Sequence, residues 1–208
     1  MNSPENTPPS SIPGYDYGTP KSAVSPISES DLSELEQTAG WTSADAGVLA
    51  RHADLVRAKA ESMVDSWRAV IGAQPHLAHW FVKPDGTPDD AYKARVKHRF
   101  MQWVVDVALR LHDRDWLKYQ EEIGLRHTPA KKNETDGAHT PPVVPFRYLL
   151  GFVPMILPVR QFFAEAIKDE AELKRLEDAW TKAVLLHITL WSRPYVKEDL
   201  WRPIRLGE

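Results

Sequence analysis

The segment from Trp116 to His127 reads Trp-Leu-Lys-Tyr-Gln-Glu-Glu-Ile-Gly-Leu-Arg-His, lies near the middle of the 208-residue chain and is followed by Thr128-Pro129. On a helix, Trp116, Ile123 and His127 are separated by seven and four residues, so they share one face. Pro129 disfavours helical backbone at Thr128, which places His127 in or near the last turn. The pattern therefore predicts a helix whose apolar face ends in a histidine.

Two interpretations of an inward-pointing His127 remain open on spacing alone. Neutral imidazole offers one lone pair, which suits a ligand to a metal ion or to haem iron. A core histidine that donates a hydrogen bond to a backbone carbonyl would produce the same pattern. Helical spacing does not distinguish these two roles.

The composition limits the classes of protein to which the chain can belong. The absence of cysteine excludes disulfides and thiolate ligands and fits a reducing compartment such as the cytoplasm. A net charge of -3 gives no basic footprint for nucleic acid, and no run of 18 apolar residues suggests a membrane span. Eight tryptophans indicate either a core of large flat side chains or a pocket for a large flat ligand.

Hydrophobic periodicity predicts an all-α single domain. Residues 1–28 are rich in Pro and Ser and are expected to be mostly mobile, although the aromatic island at residues 12–18 would be able to dock as an ordered arm. Residues 29–197 form the domain and residues 198–208 a C-terminal tail. Helices are expected at residues 30–38, 42–71 with a break near His52, 91–112, 113–127, 145–168 with a kink or a local loss of hydrogen bonds at Pro154 and Pro158, and 170–192.

Most sequence signatures of metal or phosphate chemistry are missing from the chain. It contains no His-Glu-x-x-His motif, no repeated Glu-x-x-His pair and no glycine-rich phosphate loop. A haem site accounts for more of the sequence pattern than these other sites do, because it needs a ligating histidine on one side and large apolar side chains on the other. An ordinary core would show the same periodicity. The apolar candidates on the predicted helices are Trp67, Phe81, Phe100, Phe152 and Ile156.

Six stretches of the sequence carry a resemblance to a known family: residues 12–18 (IPGYDYG), 84–88 (PDGTP), 122–127 (EIGLRH), 131–136 (KKNETD), 147–149 (RYL) and 190–196 (LWSRPYV). With these motifs at this spacing, the chain resembles the protoglobins, single-domain members of the globin-coupled-sensor lineage, from about residue 12 to residue 197. The EIGLRH motif followed by Lys-Lys-Asn is the most specific part of the match.

The resemblance implies an enlarged globin fold with an extra N-terminal helix and an arm that folds over a haem b group. It implies His127 as the proximal iron ligand, reversible binding of dioxygen, carbon monoxide and nitric oxide, and a homodimer formed by the last two long helices. It also implies a set of haem-pocket walls, namely Trp67, Phe81, Phe100, Leu149, Phe152 and Ile156.

Arg68 departs from the family pattern, because the residue after Trp67 is usually a tyrosine placed to bind the iron's ligand. An arginine brings five donors and a permanent charge that is costly to bury unpaired. It would either point at the iron or turn outward to a haem propionate or a surface carboxylate. Two alternative functions therefore stand beside gas binding: a haem redox enzyme assisted by Arg68, and a haem-free helical interaction module.

Overall fold

The chain folds as a bundle of helices, seen in a computed structural model that describes residues 12–201. The expectations for residues 1–11 and for the tail beyond residue 201 lie outside the described residues. The helices are α1 (Glu29–Ala39), α2 (Ser43–Arg51), α3 (Ala53–Ala73), α4 (Pro75–Ala78), α5 (Asp90–Leu109), α6 (Arg114–Leu125), α7 (Phe146–Ile156), α8 (Arg160–Phe163), α9 (Glu170–Ser192) and α10 (Glu198–Trp201). Two 3-10 turns, His79–Phe81 and Arg193–Tyr195, join them, and the predicted all-α class is confirmed.

Local capping chemistry sets the boundaries of the first helices. Thr42 and Asp45 form the predicted capping box of α2, each side chain accepting the other residue's backbone N–H. His52 leaves helical geometry at φ −102° and ψ 10°, and this residue separates α2 from α3 where the sequence indicated a break. Gly40 ends α1 in the left-handed conformation, at φ 63°.

The helix predicted over residues 145–168 is wrong as a single element. Helix α7 ends at Ile156, and a separate short helix, α8, begins at Arg160. Pro154 is accommodated inside α7, but Pro158 lacks the backbone N–H that would continue the hydrogen-bond ladder. The second proline therefore breaks the helix rather than bending it.

The core lies between two layers of long helices. Helix α3 packs along α5, while α2 and α6 pack against α9. Trp67 of α3, Trp103 of α5 and Trp180 of α9 are each at most 4% exposed, and their rings contact one another with centroids 6.1 to 6.5 Å apart. Much of the tryptophan content is therefore core. None of the helices described is long and apolar enough to cross a membrane.

The aromatic island at residues 12–18 lies against α5 and α6, so the docked alternative describes this stretch. The Tyr15 hydroxyl donates to Asp106 Oδ2 at 2.7 Å, and Asp16 pairs with Arg126 at 2.9 Å. Gly14, at φ 74°, approaches so closely that a Cβ there would lie 2.7 Å from Thr135 Cγ2. Only glycine combines this backbone conformation with this contact.

The end of α6 makes a similarly close approach to the end of α9. A Cβ on Gly124 would lie 3.2 Å from both Trp191 Cα and Pro194 Cγ. About one turn earlier in α6, the Trp191 indole N–H donates to Gln120 Oε1 at 2.8 Å, and Arg193 pairs with the buried Glu121 carboxylate. The absence of a side chain at Gly124 thus fixes how near α6 lies to α9.

We expect Gly124→Ala to lower the free energy of unfolding by about 1–3 kcal/mol, because the added methyl group must displace backbone. Gly151→Ala in α7 is the matched control. No atom lies within 4 Å of its Cβ position, so this change is expected to be neutral or stabilising by about 0.5–1 kcal/mol. Urea unfolding of the two variants measures the difference, and equal stabilities would contradict the close-approach account.

Candidate functional site

A cavity of about 550 Å³ opens between α3, α5, α6, α7 and the end of α9. Its volume lies in the range usual for pockets that hold a drug-sized ligand or cofactor. Of the predicted site residues, His127, Arg68, Phe81, Phe100, Leu149, Phe152 and Ile156 line it. Helices that are distant in sequence therefore bring seven of the eight predicted residues to one space.

His127 lies two residues beyond the end of α6, with its Nδ1 2.8 Å from the carbonyl oxygen of Ile123. A carbonyl only accepts, so Nδ1 carries the proton and Nε2 keeps its lone pair. The two interpretations of this histidine are therefore compatible: it donates to the backbone through one nitrogen and has the other left to bind a ligand. Such an outer hydrogen bond is typical of metal-binding histidines.

The surroundings of His127 favour the neutral ring. Burial lowers the pKa of the imidazole, and the nearby positive charges of Lys132 and Arg126 lower it further, against the opposing effect of the Ile123 hydrogen bond. Neutral imidazole is the form that binds a metal. The backbone at this point is held as well, because Val144 N and the Tyr195 hydroxyl both lie within hydrogen-bond distance of the His127 carbonyl oxygen.

Trp67 lies behind the cavity wall rather than on it. Its ring is 1% exposed and contacts Phe100, which does line the cavity, at a centroid distance of 5.4 Å. Its indole N–H is buried without a hydrogen-bond acceptor among the described residues. Its position supports the orientation of Phe100. The sequence shows that Trp67 lies on an apolar helix face, but not whether a residue on that face lines the cavity or lies behind the lining.

Arg68 turns away from the apolar interior. Its Nη2 is 3.4 Å from the backbone oxygen of Lys93, and its Nη1 is 3.8 Å from Asp65 Oδ1. The side chain keeps 27% of its surface exposed, at the edge of the cavity. Of the two orientations considered from the sequence, this is the outward one, with a surface carboxylate as the partner.

Two further arginines reach the cavity and are already paired. Arg99 contacts both carboxylate oxygens of Asp136 and donates to the carbonyl of Pro13 at 2.9 Å. Arg126 pairs with Asp16 and with Glu122, each at 2.9 Å. The polar rim of the cavity is therefore a network shared between α5, α6 and the docked arm.

Lys132 is a cavity residue that the sequence did not single out. It is 3% exposed, and its ammonium group donates to the carbonyl of Trp80 at 2.9 Å and to Thr140 Oγ1 at 2.6 Å. Both partners are neutral, and burial lowers the pKa of Lys132 to about 8. The family motif at residues 131–136 includes Lys132 but assigned it no role, and for a basic pair in a polar loop a solvated charge is the usual expectation.

Trp191 and Tyr148 also line the cavity and were not predicted as site residues. The Trp191 ring is nearly parallel to that of His127, with centroids 5.9 Å apart and an angle of 22°. Trp191 lies on the apolar face of α9, which sequence periodicity assigned to the core. Its role at the cavity follows from the approach of α9 to α6 at Gly124, which is a tertiary contact.

The side chains around the cavity fit a flat apolar group whose iron is bound by a single protein side chain. Among residues 12–201, no group of three or more His, Asp or Glu side chains is arranged to hold a bare metal ion. One neutral imidazole, aromatic walls and arginines at the rim match a macrocycle with an axial histidine and peripheral carboxylates. The residues present therefore fit haem.

The helical fold and the single-histidine cavity define a globin-type haem protein. The family model described as Protoglobin matches residues 28–201, so the chain belongs to the protoglobin family. It is also similar to the globin domain of the Geobacter sulfurreducens globin-coupled sensor, with a TM-score of 0.64 and 15% sequence identity over 79% of this chain and 97% of that chain. At this identity the structural match concerns the fold. No curated protein matches the chain.

We expect the stability of the protein to increase with pH in a way that depends on Lys132. Because burial lowers the pKa from 10.5 to about 8, the unfolded chain binds more protons between these values, and the free energy of unfolding rises with pH across this window. The rise would be at most about 3 kcal/mol.

Urea unfolding of wild type and Lys132→Met from pH 7.5 to 10.5 measures this effect as the difference between two slopes. Other groups that titrate in the same range are common to both proteins, so they cancel in the difference. Parallel stability curves for wild type and variant would show that Lys132 has an ordinary pKa.

Proposed function

We propose that the protein binds haem b in the cavity through His127 and reversibly binds diatomic gases, namely dioxygen, carbon monoxide and nitric oxide, at the iron. The single observation that carries this proposal is the hydrogen bond from His127 Nδ1 to the Ile123 carbonyl, which leaves Nε2 unprotonated at the cavity. Haem supplies an iron with one coordination position for the histidine and one for a gas molecule. The residues of the cavity would hold the haem ring and its carboxylates.

The apolar walls hold the ring and keep water away from the iron. Phe81, Phe100, Phe152, Leu149 and Ile156 present aromatic and aliphatic surface to the cavity. Ionisable side chains such as Arg68 and Lys132 also line the cavity. The apolar walls are therefore proposed to hold the ring, and not to decide the chemistry at the iron.

The rim residues are proposed to hold the haem carboxylates. Arg99 and Arg126 lie at the cavity, with side chains only 12% and 11% exposed. Each would share its guanidinium between a propionate and the carboxylate it already contacts, since an arginine has five donors. Trp67 contributes by fixing the orientation of Phe100.

The outward orientation of Arg68 favours gas binding over an Arg68-assisted redox enzyme. Its contacts run to the Lys93 carbonyl and to Asp65 rather than into the apolar part of the cavity. The haem-free interaction module is disfavoured by the cavity itself, because a purely structural helical bundle has no need for so large a void.

A homodimer through the last two long helices remains part of the proposal. Three large apolar side chains are exposed on these elements, Leu150 and Met155 on α7 and Leu185 on α9, at 46%, 40% and 43% respectively. A partner that covered these helices would bury all three side chains, as the apolar core of an interface does. The cysteine-free composition is consistent with the proposed cytoplasmic location, where disulfides rarely persist.

We expect purified wild-type protein to bind haemin stoichiometrically and show a Soret band, and His127→Ala to bind it at least about tenfold more weakly, since removing a ligand costs more than removing its outer hydrogen bond. Added imidazole should restore the ligand field in the variant. His139→Ala is the matched control, because this exposed histidine follows in the next loop and does not line the cavity. A wild-type protein that takes up no haemin, or a His127→Ala spectrum equal to wild type, would contradict the proposal.

For Arg68→Leu we expect the dioxygen dissociation rate to stay within about fivefold of wild type, because a partly exposed ion pair contributes no more than about 1 kcal/mol. Arg57→Leu, an exposed position on the same helix, serves as the control. Stopped-flow measurement of the two variants separates the orientations. A much faster release from Arg68→Leu alone would show that the guanidinium reaches the bound gas.

A further inference from the structure

A continuous series of indole and imidazole rings leads from the cavity wall to the protein surface. The series, called the Trp–His chain below, consists of Trp191, Trp103, His187, Trp116, His112 and Trp41. Gas binding does not use the two histidines in it, and an ordinary core would place apolar side chains at their positions. The order of the rings is therefore a feature that needs an explanation.

The inner end of the Trp–His chain touches the proposed haem ligand. Trp191 and Trp103 both line the cavity, and their ring centroids are 5.5 Å apart. The Trp191 ring stacks against His127. Trp103 Nε1 donates to Nδ1 of His187 at 2.7 Å, which commits the proton of this buried imidazole to its other nitrogen.

The outer end proceeds by close ring contacts to the surface. The centroid of His187 is 5.1 Å from that of Trp116, which in turn stacks on His112 at 4.1 Å and 26°. The opposite face of His112 is stacked by Trp41 at 4.9 Å and 24°. Trp116 is 1% exposed while Trp41 is partly exposed. The rings of the Trp–His chain therefore lead from the interior to the solvent without a gap as large as one side chain.

The two histidines are placed as bridges rather than as ordinary core residues. His187 is 1% exposed, and burying a polar ring there carries a desolvation cost that its hydrogen bond to Trp103 offsets. His112 is held by a 2.6 Å contact from Nδ1 to Glu36 Oε1, which keeps its plane between the two indoles. Each imidazole therefore has a partner that fixes its plane against the neighbouring tryptophans.

We propose that the Trp–His chain carries oxidising equivalents from haem in the cavity to Trp41, so that hydrogen peroxide reacting in the cavity is reduced by a one-electron donor at the surface. This rests on the proposed haem binding. Reduction of one peroxide to two waters consumes two electrons and two protons. Two molecules of a phenol-type donor supply them at Trp41, each losing one electron and one proton to become a phenoxyl radical.

Ring chemistry assigns a role to each member of the Trp–His chain. Indole is easier to oxidise than imidazole, so the tryptophans carry the charge and the histidines bridge them. When Trp103 is oxidised, its N–H stays on the indole and remains hydrogen-bonded to His187 Nδ1, because burial lowers the pKa of His187 well below its usual range. Trp116 has a buried N–H with no acceptor among the described residues, so it keeps its proton and passes the charge on. Trp41 is partly exposed and exchanges its proton with water.

The test uses full-length protein loaded with haem, the variant Trp116→Phe and the matched control Trp180→Phe. Trp180 is equally buried and its ring contacts Trp103, but its other ring contact is Trp67, away from the surface route. Each protein is treated with stoichiometric hydrogen peroxide without added donor. Protein radicals are then recorded by electron paramagnetic resonance, and oxygen addition at Trp41 by peptide mass spectrometry.

We expect wild type and Trp180→Phe to give a tryptophan radical and an oxidised Trp41 peptide, and Trp116→Phe to lose the oxidised Trp41 peptide. Equal oxidation of Trp41 in wild type and Trp116→Phe would overturn the proposal, as would equal loss in Trp180→Phe. Equal oxidation in haem-free protein would also overturn it, because peroxide would then attack Trp41 directly.

Haem content, read from the Soret band before peroxide is added, separates this proposal from the proposed function. Failure of wild type to bind haem overturns both, whereas full haem binding with no effect of Trp116→Phe overturns only the Trp–His chain. Trp41→Phe is the second variant in case Trp116→Phe does not fold. It should bind carbon monoxide as wild type does but lose peroxide-dependent phenol oxidation, and retention of that oxidation would overturn the proposal.

Discussion

The hydrogen bond from His127 to the Ile123 carbonyl is the constraint on which the rest of the site depends. It forms because α6 ends at Leu125, so the carbonyls of its last turn have no intrahelical partner and one of them is free to accept from the imidazole. The position of that carbonyl is set by the contact of Gly124 with α9, where a Cβ would lie only 3.2 Å from Trp191 Cα. Three features therefore decide which nitrogen of His127 faces the cavity. They are the lack of a side chain at Gly124, the end of α6 and the proton on Nδ1.

Much of the fold was predictable from the sequence because its signals are local. The capping pair Thr42 and Asp45, the break at His52 and the bounds of α9 each follow from a few neighbouring residues. The helix over residues 145–168 was predicted wrongly because two prolines four residues apart act differently: Pro154 is tolerated within α7, and Pro158 is not. Whether a proline bends or ends a helix depends on the tertiary packing that compensates for the missing bond.

The candidate site was predictable only in part, for a physical reason. Residues such as His127 and Phe100 were found through apolar helix faces and family motifs. These signals show on which face of a helix a side chain lies, but not how far it is from a cavity. That is why Trp67, one layer behind Phe100, was not separated from the lining. Lys132 was missed because its burial arises from Trp80, in the 3-10 turn His79–Phe81, and from Thr140, in the loop before α7. Long-range contacts of this kind leave no periodic signal.

The docking of Gly14 has a mechanical consequence. This residue is wedged between Thr135 and Arg99, and its carbonyl accepts from Arg126 at 2.6 Å. Both arginines belong to the rim of the cavity, so the segment from Ile12 to Gly14 is attached, through Arg99 and Arg126, to the groups that flank the ligand space. A displacement of this segment would move the two guanidinium groups, and a change of charge at the cavity rim would alter how firmly the segment is held.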